Sequence, residues 1–424
     1  MIKSRSSIIC LTLLLALAVL IPSAVVSAKT DNKLTIYHWW TAGGEKEAID
    51  ALYDLYKTVY PDIKIVENPV SGGGGGIMRS KLKTMIMAGN APDTFQLTYG
   101  SGMLESWVEV LQPIDELWKN FPVPEKVKEM GTIDGHQYGI PLNIMRNNCL
   151  WYNVKLVEEL NIDIPITSQE EFFQAMEKAK EAGYIPYAIG AGSGQEFWIA
   201  SQVFQSFVLA APHGGPEYLE KLYSGEANPS EDRAIEEALT SMKRMIDNDY
   251  INSDYAALTW DQAADLLVED KAVFYQMGDW VKGHFNAVGW ESVKDFNYQT
   301  TPGTQGVFSL HFDCFVLPEG APHPTAARKW LQMLKTVEAE TVFNPIKGAT
   351  PPRVDAFTDM YDDISQDILS DFRDPETVIV ESAFAGPPSA WLDVFGRMFS
   401  KFFENPDVER GVKNFAQAYR SINW

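Results

Sequence analysis

The chain has little cysteine and little histidine, and neither is spaced for a metal. Of its 424 residues three are Cys and six are His. Cys10 sits in an apolar N-terminal run. That leaves Cys149 and Cys314, with no His or Cys pair at ligand spacing, so no metal is expected. No other cofactor is expected either. The glycine run "SGGGGG" lacks the G-K-[ST] ending of a phosphate loop, and no G-x-S-x-G elbow occurs. Beyond the N-terminus no stretch reaches the roughly 18 unbroken apolar residues of a membrane span. Positive charge is scarce too, with 35 Lys and Arg against 57 Asp and Glu. Such acidity repels nucleic acid and anionic lipid and favours a soluble monomer. There is no internal repeat and no long low-complexity linker.

What is present begins with an export signal. Lys3 and Arg5 precede the apolar run Ile8 to Leu20, and Val26-Ser27-Ala28 supplies a small-residue cleavage site. Residues 1–28 therefore read as a secretory signal peptide, with an uncleaved anchor as the alternative. Small residues do not precede Cys10 as in a lipoprotein, so the chain is expected in a periplasm or at a cell surface. Cleavage removes two bases and no acid, leaving 33 basic against 57 acidic residues, net −24.

The mature part alternates elements. Leu34–Tyr37 reads as a buried strand, Glu45–Tyr60 as an amphipathic helix stopped by Pro61, and Ile63–Val66 as a second strand. After the glycines come a helix, Ile77–Ala88, and a strand, Thr94–Thr98. This β-α-β-α-β order predicts a parallel sheet with ligand beyond the carboxyl ends of its strands. Trp39-Trp40 and Gln96–Thr98 fall there. Gln169–Ala182 reads as a helix, Tyr184–Ile189 as a strand, and 196–287 as a long helical middle. Phe312–Leu317 is strand-like, and helices follow to the C-terminus.

Twelve tryptophans are present, and Trp39, Trp40, Trp198, Trp260 and Trp280 stand beside His, Thr, Gln, Asp or Gly. A pyranose has apolar C–H faces and a rim of hydroxyls. An aromatic plate with Asp, Asn, Gln or Lys around it is its natural receptor. The alternative for each indole is plain core packing. Paired carboxylates would instead suit a glycoside hydrolase, with Asp279 in "MGDW" and Asp313 in "FDCF" the better candidates.

The segments "LTIYHWW", "LYKTVYPDIKI", "MAGNAPDTFQLTYG", "YGIPLNIMRNNCLWYN", "VFYQMGDW", "TPGTQGVFSL" and "FNPIKGATPPR" together resemble the extracellular solute-binding proteins of sugar ABC importers. The nearest branch binds glucose and galactose. The resemblance runs from about residue 33 to the C-terminus. It implies an α/β periplasmic-binding-protein-like fold of two lobes joined by a three-crossover hinge, with no enzymatic step. Lobe one would span 33–147 plus 316–380 and lobe two 148–315 plus 381–424. The crossovers would lie near Asn148–Tyr152, Phe312–Val316 and Val380–Phe384, with Cys149 and Cys314 on neighbouring hinge strands where a disulfide is conceivable. Carried over, the ligand-binding set is Trp39, Trp40, Gln96, Thr98, Asn143, Trp260, Trp280, Asp279, Asp313, Lys347 and Glu381. Asp313 would accept from two adjacent hydroxyls and Lys347 would donate across the cleft. The expected ligand is a monosaccharide, with a disaccharide as the alternative, and the expected partner is a membrane permease. A secreted glycosidase and a surface lectin are the rival readings.

Overall fold

The computed structural model describes residues 32–191 and 197–424; the expected signal peptide lies outside them. In chain order the strands are β1 (Lys33–His38), β2 (Lys64–Pro69), β3 (Thr94–Thr98), β4 (Thr132–Ile133), β5 (His136–Gln137), β6 (Gly139–Pro141) and β7 (Met145–Arg146). Then come β8 (Cys149–Asn153), β9 (Ile185–Ala188), β10 (Ala272–Gln276), β11 (Phe296–Thr300), β12 (Val307–His311), β13 (Asp313–Val316) and β14 (Val378–Glu381).

The first lobe is built on a sheet of order β2-β1-β3-β13-β6. Strands β1, β2 and β3 run parallel, as the alternation of elements predicts, because the helices Gly43–Val59 and Gly76–Met87 supply the long crossovers that parallel pairing needs. The first helix turns Ala48, Ile49, Leu52 and Tyr56 inward. Trp330 on the helix Pro324–Leu334 packs between Tyr53, Tyr56 and Phe315. Strand β13 then adds antiparallel to β3, setting Asp313 opposite Thr98 and Phe315 opposite Gln96.

The second lobe is built on the sheet β11-β8-β10-β9. The helical reading of 196–287 is corrected here. Residues 272–276, AVFYQ, form the strand β10, covered on both faces. A strand buried on both sides shows no alternation, so its apolar run is indistinguishable from a buried helix segment. A third, small sheet, β14-β12-β7, stands where the chain passes between the lobes. The chain leaves β6 through β7 to reach β8. It returns from β12 to β13 with Phe312 alone between them, and leaves β14 for the helix Ala390–Glu404.

Cys149 and Cys314 are free, buried thiols, so the conceivable disulfide is not formed. They belong to different sheets. The Cys149 thiol donates to the Arg146 carbonyl, whereas Cys314 packs against Gly139.

Arg146 ties the passage together. Buried on β7, it donates to the Val307 carbonyl, Thr300 Oγ1, Asn148 Oδ1 and the Asp371 carboxylate. Asn148 in turn donates to the same carbonyl (2.9 Å) and to Thr304 (3.0 Å). Removing the guanidinium takes one donor from each of these acceptors and breaks the ion pair with Asp371. Arg146→Met should lower unfolding stability by about 2–4 kcal/mol, read from urea midpoints. A loss below about 0.5 kcal/mol would show that the network is not structural.

Candidate functional site

The carboxyl ends of β1 and β3 and the start of β13 converge on one cavity. It holds about 450 Å³ of space free of protein atoms, its mouth included. Trp39, Trp198, Trp260 and Trp280 stand in its wall with Phe384 and Met145, and Thr98, Asp313, Glu45, Lys347 and His311 supply the polar groups.

Asp313 is held by two side-chain amides. Gln96 Nε2 donates to Oδ1 (2.9 Å) and Asn143 Nδ2 to Oδ2 (2.9 Å). Asn143 Oδ1 accepts from the Asp313 backbone amide (2.7 Å), and Gln96 Oε1 accepts from the Trp39 amide (3.0 Å). One chain of hydrogen bonds therefore fixes both the carboxylate and the residue that carries an indole plate. A carboxylate offers about four acceptor directions, and two remain for the cavity.

Lys347 ends the helix Val337–Lys347 and meets Glu45, in the first turn of the helix Gly43–Val59, at 2.6 Å. Burial pushes the Glu45 carboxyl up, and the ammonium beside it works against that. The same ammonium lies 5.6 Å from the centre of the Trp280 ring. Burial draws His311 down to about 4, so its imidazole is neutral near pH 7; Ser382 Oγ is 3.3 Å from its Nδ1. Among the described residues no three His, Cys, Asp or Glu side chains converge in a way that could hold a metal.

Six of the expected residues line the cavity: Trp39, Thr98, Trp260, Trp280, Asp313 and Lys347. Gln96 and Asn143 stand behind it as holders of Asp313. Trp40 points the other way along the extended chain and is wholly buried, 4.9 Å from Phe343 and 5.8 Å from Phe315. Glu381 is turned away too, its carboxylate accepting from the Ser101 amide (2.8 Å) and hydroxyl. Asp279 is fully buried and does not line the cavity. Glu45, Met145, His311 and Phe384 were not expected. His311 lies two residues before Asp313 at the junction of two strands, a same-side spacing that was legible. Glu45 becomes visible only once the helix end is seen against Lys347.

Comparison with known proteins shows the family. The bacterial extracellular solute-binding protein family matches residues 40–341. The chain belongs to that family. An ABC transporter extracellular-binding protein of Pyrococcus horikoshii is 39% identical over 92% of this chain and 88% of its own length. A probable sugar-binding periplasmic protein of Brucella melitensis is 28% identical, covering 91% of this chain and 92% of its own. Among solved structures, a chitin oligosaccharide binding protein superposes with a TM-score of 0.80 at 17% identity, over 92% of this chain and 98% of that one. A bacterial solute receptor with a preference for β-D-galactopyranose gives 0.78 at 17%, over the same shares. The two-lobed fold is thus that of the solute-binding proteins. No helix of the described residues is long and apolar enough to cross a membrane.

Asp279 makes a pH test. Burial pushes its carboxyl up to about 7, against about 3.9 in an unfolded chain. The native state therefore holds a proton that the unfolded state has released. The associated stability is complete below about pH 4 and is lost as pH rises through 7. Between pH 5 and 8 the wild type should lose about 2–3 kcal/mol more than Asp279→Asn, whose amide does not titrate, in paired urea denaturations. Parallel pH profiles would refute it.

Proposed function

We propose that the tryptophan cavity takes one pyranose unit, glucose- or galactose-configured, and that the chain delivers the captured sugar to a membrane permease. The observation that carries this is Asp313, fixed by two amides inside a wall of indoles. Rings stack on the C–H faces while the carboxylate accepts from two neighbouring hydroxyls. The charges select against anions. Lys347 is already matched by Glu45, His311 is neutral, and Asp313 leaves the cavity net negative. A neutral polyol fits; a phosphate or uronate does not.

Lobe limits of 33–147 plus 316–380 and 148–315 plus 381–424 belong to this reading. By these limits Trp39, Thr98 and Lys347 come from one lobe and Trp198, Trp260 and Trp280 from the other, while Asp313 sits at a crossover, on the strand β13 that pairs with β3 of the first lobe. Each lobe alone offers half a site, so sugar binds the closed form better and shifts the equilibrium toward it. Capture and release need no covalent step, and the closed form is what a permease would recognise. The protein acts as a monomer outside the cytoplasmic membrane.

Titration with a panel of sugars, followed by tryptophan fluorescence, tests the reading. Glucose or galactose should saturate the protein at micromolar Kd or below, about −8 kcal/mol. Trp280→Ala should weaken that by about 1–3 kcal/mol. Asp313→Ala should weaken it by about 2–4 kcal/mol, as it removes two charge-assisted hydrogen bonds. Steady release of product from glucosides would favour a glycosidase instead. Weak, multivalent binding without compaction would favour a lectin.

A further inference from the structure

His311 joins the tryptophan cavity to the small sheet where the chain passes between the lobes. It ends β12 opposite Met145 of β7, and its neighbour Leu310 pairs with Glu381 of β14. The imidazole stands in the cavity wall. Its centre lies 5.6 Å from that of the Trp280 ring and 5.3 Å from that of Phe384. One hydroxyl decides which of its nitrogens carries the proton. Ser382 Oγ is 3.3 Å from Nδ1 and accepts from the Phe384 amide at 3.3 Å. Among the described residues this hydroxyl has no other acceptor, so its own proton goes to Nδ1. Burial keeps the ring neutral near pH 7, and a neutral imidazole that accepts at Nδ1 donates at Nε2.

Ser382 is itself held from two sides. Its amide donates to the Leu310 carbonyl (2.8 Å). Gln205, on the helix Trp198–Ala210, accepts from the Ala383 amide (3.0 Å) and donates to the Glu381 carbonyl (3.1 Å). The hydroxyl is thus clamped between β12 and the helix that opens with Trp198. A wall needed only for packing is more simply made of apolar residues, with no buried hydroxyl and imidazole to satisfy. What this chain of hydrogen bonds provides is an uncharged donor of fixed direction. Asp313 offers acceptors alone, and Lys347 is shared with Glu45.

We propose that His311 determines specificity in this site: its Nε2–H donates to one oxygen of the bound sugar, and Ser382 is the positioning residue that holds the imidazole in the donating tautomer. The proposal rests on the sugar reading above and assigns one recognised oxygen to one side chain. A ligand without an acceptor at that place leaves a buried N–H unmet, which is how such a donor discriminates.

The test is calorimetric titration of wild type, His311→Phe, His311→Gln, Ser382→Ala and the His311→Phe/Ser382→Ala double variant. The ligands are glucose, galactose, their single-deoxy derivatives, and the carbocyclic analogues in which a methylene replaces the ring oxygen. His311→Phe keeps a ring between Trp280 and Phe384 and should weaken the best monosaccharide about 10-fold. His311→Gln, whose amide donates from nearly the same place, should stay within about threefold of wild type. One analogue lacking a single oxygen should bind wild type about 10-fold less well than its parent, and His311→Phe less than about twofold less well. Ser382→Ala should weaken wild-type binding about threefold and leave His311→Phe within about 1.5-fold, because it acts only through the imidazole. A His311→Phe variant that binds the sugar as wild type does would overturn the proposal. So would analogue penalties that are equal in both proteins, or a Ser382→Ala loss that is equal in both backgrounds; each leaves the sugar reading standing. A wild type that binds no monosaccharide would overturn both.

Discussion

The site depends on a carboxylate that is aimed before any ligand arrives. Asp313 begins β13, and its register against β3 puts it beside Gln96 and Thr98. Two amide donors then remove its freedom to swing, and one of those amides also fixes the Trp39 backbone. Ordering a polar side chain at the moment of binding would cost roughly 0.5–1.5 kcal/mol. Here that cost is met in folding. Sheet register therefore places the acceptor and the stacking plate together, and a slip of one residue would turn both away.

Closeness of the lobes is the second constraint, and glycine makes it available. A Cβ on Gly44 would fall 2.6 Å from the Ile346 carbonyl and 2.8 Å from that of Gly283. One on Gly283 would fall 2.6 Å from the Lys347 carbonyl. The start of the helix Gly43–Val59, the helix Val281–Ala287 and the end of the helix Val337–Lys347 thus meet backbone to backbone. The helix Val281–Ala287 belongs to the second lobe, where Phe285 packs on Trp151 and Phe296. Glu45 and Lys347 stand directly beside this seam, so the ion pair and the lobe contact form part of one surface. A side chain at the seam would hold the lobes apart and leave Trp280 short of Lys347.

Much of the first lobe was legible because its helices are amphipathic and its strands end in marked residues. The run from Leu34 to Trp40 located both the strand and the ligand end. It could not say which of two adjacent tryptophans faces the ligand. In extended chain neighbours point oppositely, and only the sheet's packing decides that Trp40 goes to the core and Trp39 to the cavity. Strand β10 escaped because burial on both faces erases periodicity. Glu381 and Asp279 entered the ligand set through the family resemblance. In space one is occupied by Ser101 and the other is sealed behind the wall. Asp313 and Lys347, named through the family resemblance, line the cavity, but Lys347's partner Glu45 lies 302 residues away in sequence, beyond the reach of any local pattern.

The buried acids bear on what the cavity can hold. Desolvation pushes Glu45, Asp279 and Glu381 all upward from the usual carboxylate range. Only Glu45 among them meets the cavity, and there the Lys347 ammonium opposes the rise. If the ligand were anionic, it would have to displace Glu45 from Lys347 and stand near Asp313 with no compensating cation, a like-charge encounter in a poorly solvated space. A neutral hydroxylated ring requires neither. It can accept from Lys347 while Glu45 stays paired, because an ammonium has three donors and the ion pair uses one. The same Asp313 that would repel an anion is then free to bind two hydroxyls, so selection against charge and grip on the sugar come from a single side chain.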